Sequence, residues 1–248
     1  MVRSPIRPYH NLILIIVLTL GFFLFPPNLT LADNSTVYQY RNVHSFDGIG
    51  KYYLGREIAQ VMGHTGAGWL ERPSREAEEQ PSKIVNLLNL KPDEIVADIG
   101  AGTGYLSFRI APLLPQGKVF AVDIQPEMLE IIEYFKQEKN ITNVEPILAT
   151  LTNPNLPPES IDLAIMVDAY HEFAYPQEVM QGIVKALKPG GKVVLVEYRA
   201  ENPFIMIKRL HKMTQSQVKK EMQAVNLTWR ETKNILPQQH FMVFEKSA

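Results

Sequence analysis

The chain contains no cysteine, which excludes disulfides, cysteine-ligated zinc and thiol catalysis. It also lacks a surplus of positive charge: 25 Lys and Arg stand against 26 Asp and Glu, a formal net charge of -1. Nucleic acid is not expected as a partner, because binding a phosphate backbone calls for a basic excess. No Gly-Lys-Ser/Thr follows a glycine loop, so a Walker phosphate loop is absent. Internal repeats and low-complexity segments are missing too, and no metal is expected. What remains is an ordinary globular composition, 46% hydrophobic and 21% charged over 248 residues. That length suits one large domain with attachments, or at most two domains.

Long apolar runs are scarce. The one near the start, Leu12 to Phe25, is interrupted only by Thr19 and Gly21 and follows Arg3 and Arg7. As a helix its fourteen residues would cover about 21 Å, short of the roughly 30 Å hydrocarbon core. Basic flank, short apolar run and the small-residue site Thr30-Leu-Ala32 read as a secretory signal peptide. The rival is an uncleaved membrane anchor through residues 12–25, and the bland alternative a buried helix. Residues 1–32 are set apart on this basis. The chain is expected to be exported to a periplasm or lumen, or held at a membrane.

Residues 33–80 read as an arm with an active-site flap. Asp33 to Gly50 is polar, has little periodicity and is expected to be mobile. Gly63, Gly66 and Gly68 then surround His64 and lead to Trp69 and a charged run ending at Glu79. One reading is a turn and a solvated helix with i,i+4 pairs Arg72–Glu76 and Arg75–Glu79. The other is a flap that brings His64 or Arg72 to a ligand.

Residues 81–248 are more regular. Ile95 to Ile99 is a short apolar run, as in a buried parallel strand, and glycines follow at 100, 102 and 104. A helix is expected after them, over Tyr105 to Leu114. Strand, glycine turn and helix bring bare backbone N–H groups and a helix N-terminus up to a ligand. Helices are expected over Pro81–Leu90, from Pro126 with a Met128, Ile131, Ile132, Phe135 stripe, and over Val179–Leu187. Between them fall strands at Gly117–Asp123, Asn143–Ala149, Ile161–Val167 and Lys192–Tyr198, with Pro146 suggesting an edge. Such alternation predicts a parallel sheet covered on both faces. The tail reads as helices over Pro203–Met213 and Ser216–Asn226, then strands Thr228–Ile235 and His240–Glu245. Their short connection makes these two strands antiparallel.

The dinucleotide fingerprint G-x-G-x-x-G needs a third glycine where this chain has Tyr105, which disfavours a nicotinamide or flavin dinucleotide. Val96-Ala-Asp-Ile-Gly-Ala-Gly-Thr-Gly104 instead resembles the first motif of class I S-adenosylmethionine-dependent methyltransferases. The resemblance runs from Pro81 to about Lys246. Leu187-Lys-Pro-Gly-Gly191 and the antiparallel final pair also resemble that family. It implies a three-layer Rossmann-like α/β fold: a mostly parallel seven-stranded sheet with an antiparallel last strand. By the same resemblance Asp98, Gly100, Ala101, Gly102 and Gly104 hold the methionyl part of S-adenosyl-L-methionine. Asp123, with Ile124 beside it, takes the ribose hydroxyls. The adenine position departs from the family pattern, and either Thr150 hydrogen-bonds the base or Leu151 covers it.

Methyl transfer from a sulfonium is an in-line displacement, so orientation of the acceptor is the protein's main contribution. If the acceptor is a weak acid, a base must take its proton. Candidates cluster after the fourth strand of the resemblance: Asp168, which also fits the cofactor side, Tyr170, His171 and Glu172. His171 is the favoured base because imidazole titrates near neutral pH; the plain alternative has it capping a helix. Glu197 and Tyr198 end the fifth strand and face the same pocket. Lys208, Arg209, His211 and Lys212 read as a solvated face, or as a site for an anionic surface. The expected function is methylation of a small organic acceptor. Its rivals are a non-catalytic binding module and, less favoured, an NAD-dependent oxidoreductase. The leader sharpens the first rival. S-adenosylmethionine is made in the cytoplasm, so an exported enzyme needs an outside supply, unless the anchor is inverted or the true start lies further along and the protein is cytoplasmic.

Overall fold

From Tyr38 to Ala59 the chain builds an antiparallel sheet, β1 (Tyr38–Tyr40), β2 (Gly48–Tyr53) and β3 (Arg56–Ala59), in that order. Leu54 and Gly55 join β2 to β3 with φ of 47° and 95°, the left-handed pair a two-residue hairpin needs. Over residues 37–50 this sheet replaces the mobile arm expected for Asp33 to Gly50. Its inward positions in β2 are Gly48, Gly50, Lys51 and Tyr53, and glycine and lysine leave no apolar period to read. Tyr38, Tyr53 and Ile58 form its core, with Tyr175 packed against them. The computed structural model describes residue 1 and residues 37–246, so the signal peptide or anchor expected over 1–32 lies outside the described residues. Among the described residues no helix is long and apolar enough to cross a membrane.

Two single-turn helices follow, α1 (Ala67–Leu70) and α2 (Arg75–Glu78). The solvated helix expected here does not form. Arg75 does pair with Glu79 at 2.8 Å, but both side chains are buried. Arg72 reaches Glu78 and Glu79 rather than Glu76, and Glu76 accepts from Ser82 instead. Glu79 turns inward because the Tyr198 hydroxyl also donates to it, at 2.6 Å.

Strands and helices then alternate through α3 (Pro81–Leu88), β4 (Ile95–Ile99), α4 (Ser107–Ile110), β5 (Lys118–Asp123), α5 (Pro126–Lys139) and β6 (Val144–Leu148). They continue as β7 (Ile161–Val167), α6 (Pro176–Ala186), β8 (Leu187–Tyr198), α7 (Gln215–Gln223), β9 (Leu227–Lys233) and β10 (Gln239–Lys246). The helices α3, α5 and α6 each open on a proline at the first turn, where its missing N–H costs nothing. Seven strands form one sheet in the order β6-β5-β4-β7-β8-β10-β9. β10 runs antiparallel to both β8 and β9, the other pairs are parallel, and β6 with Pro146 lies at an edge. This is the three-layer Rossmann-like arrangement expected.

Successive side chains of β4 point to opposite faces and so serve two cores. Ala97 and Ile99 pack with Val179 and Ile183 of α6 and Val218 of α7. Val96 packs with Ile84 of α3, Ile110 of α4 and Ile132 of α5. The stripe expected on α5 buries only Met128 and Ile132. The helix expected over Pro203–Met213 is absent. Residues 199–213 make an excursion closed by pairing of Arg199 with Met213, and only Arg209–His211 forms a 3₁₀ turn. Open parallel sheets bind ligands where strand order reverses, here beyond the carboxyl ends of β4 and β7.

Candidate active site

Four strand ends meet at that crevice: Gly100 after β4, Asp123 closing β5, Thr150 after β6 and Asp168 after β7. All line one cavity of about 670 Å³, a size typical of small-molecule sites. Gly100 and Gly102 have φ of 73° and 55°, a region that side chains disfavour. A Cβ on Gly100 would meet the Ala169 Cβ at 2.7 Å, and one on Gly102 the Leu70 Cδ1 at 2.5 Å. Both positions therefore keep backbone bare toward the cavity.

Asp123 is tied to this loop. Its Oδ2 accepts from the Gly102 N–H and its Oδ1 from the Gln125 N–H, each at 2.9 Å. Burial raises its pKa, and these N–H groups pull it part of the way back. Ile124 and Leu151 share the cavity wall. The Thr150 Oγ1 accepts from the Thr152 and Asn153 N–H groups at 3.3 and 3.0 Å, so its lone pairs are taken by its own loop.

Other expected ligands sit elsewhere. Asp98 is buried on the face of β4 that looks toward α4, where the Ser107 hydroxyl donates to it at 2.6 Å; burial lifts its pKa to about 6. Asp98, Ala101 and Gly104 are not part of the cavity wall. Neither is Tyr170, which is fully buried with its hydroxyl donated to Glu221 at 2.8 Å. A direct catalytic part for Tyr170 is thus corrected to a core one. His64 is also outside the wall; its backbone N–H donates to Gln125 at 2.7 Å and its ring lies 3.8 Å from Glu127. Arg72 does line the cavity, yet its guanidinium is engaged by Glu78, Glu79 and the Trp69 carbonyl.

Asp168 adopts a left-handed φ of 49°, unusual for a residue with a side chain. Its Oδ2 accepts from Gln239 at 2.7 Å, while Oδ1 is buried without a partner. Burial, then the charges of Glu79 and Glu197, push its pKa well above the carboxylate range. Tyr198 is raised as well, first by burial and then by Asp168 and Glu79.

The second wall is built on His171, in a 3₁₀ turn after β7. Its Nδ1 lies 2.6 Å from Oε2 of Glu197, and both side chains are buried. A carboxylate only accepts, so Nδ1 carries the proton and Nε2 is left to face the cavity. Burial works against charge on this ring, but Glu197 outweighs it and the net shift is upward. The expected helix-capping alternative does not apply. Nε2 of His171 is 3.1 Å from Nδ1 of His211, which is 3.3 Å from Oε1 of Glu172. His211, assigned by its neighbours to a solvated basic face, is thus a site residue. Tyr198 lines the cavity as expected, whereas Glu197 stands behind His171 and is not part of the wall; Arg75 and Glu79, expected only as a pair on a solvated helix, do line it.

A family profile described as a methyltransferase domain matches residues 90–242. An uncharacterised methyltransferase-like protein of Schizosaccharomyces pombe is 31% identical over 137 residues, 55% of this chain and 51% of that protein. An uncharacterised methyltransferase of Bacillus subtilis is 28% identical over 123 residues, 49% of this chain and 48% of its own length. The chain thus spans about half the length of the curated relatives it matches. Among solved structures, a SAM-dependent methyltransferase from Aquifex aeolicus superposes with a TM-score of 0.71 at 19% identity, covering 75% of this chain and all of that one.

Proposed function

Because the chain belongs to the methyltransferase domain family, we infer that it binds S-adenosylmethionine in the β4–β7 crevice and methylates a small organic acceptor. The observation that carries this reading is Asp123, a carboxylate held in the cavity wall by the backbone N–H groups of Gly102, Ile124 and Gln125, beside the bare glycine loop. Two adjacent hydroxyls, such as those of a ribose, match that carboxylate. The unpartnered Oδ1 of Asp168 suits the cofactor's ammonium. Leu151, exposed in the wall, suits the face of the adenine, while the Thr150 lone pairs that would accept from the adenine amine are taken by its own loop. Bound there, the cofactor supplies an electrophilic methyl group on sulfur.

The chain's own part is then orientation and proton handling. The acceptor faces His171, whose Nε2 can take a proton once it gives up its 3.1 Å contact with His211, while Glu197 holds the ring in one tautomer. A cavity of about 670 Å³ falls within the range of small-molecule sites, which supports a small acceptor. Calorimetric titration tests the reading: S-adenosylmethionine should bind and NAD should not, and binding of NAD alone would overturn it. Asp123→Ala should weaken S-adenosylmethionine binding on the order of 100-fold, as expected when a site loses a charged double contact. Binding without S-adenosylhomocysteine release from any metabolite extract would instead favour the non-catalytic module.

A further inference from the structure

His171, Glu172 and His211 present three donor atoms to one point of the cavity wall. Nε2 of His171, Nδ1 of His211 and Oε1 of Glu172 are 3.1, 3.3 and 3.8 Å apart. A triangle with those sides has a circumradius of about 2.0 Å, so one point just above its plane lies about 2.1 Å from all three atoms, the bond length of zinc-like ions to imidazole nitrogen and carboxylate oxygen. We propose that these three residues form a binding site for a divalent transition-metal ion, with an open position facing the cavity.

The atoms behind the donors support the assignment independently. Metal-bound histidines nearly always give their other N–H to a carboxylate or carbonyl, which fixes the ring. Here Nδ1 of His171 is held at 2.6 Å by Glu197, a carboxylate buried in the sheet. The remote oxygen of Glu172, Oε2, accepts from the Met62 N–H at 3.1 Å, leaving Oε1 turned to the two rings. Arg56 donates to the His171 carbonyl at 3.0 Å and fixes the backbone of the turn. Without an ion, one His211 N–H has to serve both His171 and Glu172; with an ion, three lone pairs share one partner. Two imidazoles and one carboxylate suit zinc, cobalt, iron or manganese rather than magnesium or calcium, which take oxygen ligands.

The site lies on the same cavity wall as the acceptor space, so its open position is available to an acceptor heteroatom. Coordination would then replace proton uptake as the task of His171 Nε2. Metal binding itself does not depend on the methyl-transfer reading, and it is measured without cofactor.

The test uses the full chain, stripped with a chelator and titrated with zinc, cobalt or magnesium chloride alone. One zinc or cobalt ion should bind per chain, with magnesium silent, and bound cobalt should develop the visible absorption of a low-coordinate site. His211→Ala alters a partly exposed side chain and should weaken zinc on the order of 100-fold with an unchanged fold; Glu197→Gln, behind the ligand, should cost about 10- to 100-fold. If wild type binds no zinc at micromolar levels, or His211→Ala and Glu172→Gln bind it as wild type does, the site is not a metal site. Zinc binding with S-adenosylmethionine failing to bind would leave this inference standing and remove the methyl-transfer one.

Discussion

Burial in β4 lifts the Asp98 carboxyl from the usual 3.8 to about 6, more than the Ser107 hydrogen bond and the field of Arg75 return. A carboxyl whose folded pKa lies above its unfolded one binds its proton more tightly when folded. Stability is then fullest below about pH 4, declines through pH 4 to 6 and carries the whole cost above that. Asp98→Asn removes the titration. Its stability gain over wild type should be small at pH 4, grow to pH 6 and level off at up to about 3 kcal/mol, read from urea melts across that range. A difference independent of pH would assign the titration to another group. The residue scale also shows what a motif cannot tell. Asp98 and Asp123 look alike as strand-end acids and share a face of the sheet, but only Asp123 reaches the cavity, because the register pairs Asp98 with Ala121, two residues short of Asp123, where the Ser107 hydroxyl covers it.

Between elements, one buried carboxylate joins three of them. Glu221 of α7 accepts from Arg56 of β3 at 2.7 and 2.8 Å, from Tyr170 at 2.8 Å and from Gln217 at 2.8 Å. Arg56 stays charged there, its pKa raised because Glu221 outweighs the effect of burial. Removing one member strands a charged guanidinium, so Glu221→Ala should destabilise by about 3–5 kcal/mol in denaturant melts. A loss under 1 kcal/mol would mean that water replaces the carboxylate and that the pair does not hold β3 to α7. The helices and parallel strands were legible because their signals are local: proline at the first turn, apolar period, glycine at the turn. The sheet β1–β3 and the 199–213 excursion were not. Their inward residues include Gly48, Lys51 and His211, which enter the interior only through distant partners.

At the scale of the molecule, residues 37–80 belong with the sheet rather than beside it. Contacts join the described residues 37–246 into one unit, and Glu79 links Arg72 and Arg75 to Tyr198 across 119 residues. A boundary at Pro81, natural from the onset of regular alternation, would cut that unit. A chain starting at Val37 should melt in one transition close to that of the full chain, whereas one starting at Pro81 loses the Arg56–Glu221 and Glu79–Tyr198 contacts. The shorter chain should melt at least several degrees lower, since breaking even one buried pair costs a few kcal/mol. Equal melting of the two would show that the flap is an appendage.

The sequence by itself determined the sheet class, the glycine loop and the acid at the end of β5, because backbone freedom and apolar period act over a few residues. How the wall around His171 is completed was decided only by tertiary structure. Glu197 was marked only as a strand end and His211 only as part of a basic run, and they stand 26 and 40 residues from His171. They meet because β8 lies next to β7 in the sheet, and because the 199–213 excursion folds back to Tyr198 instead of extending as a helix.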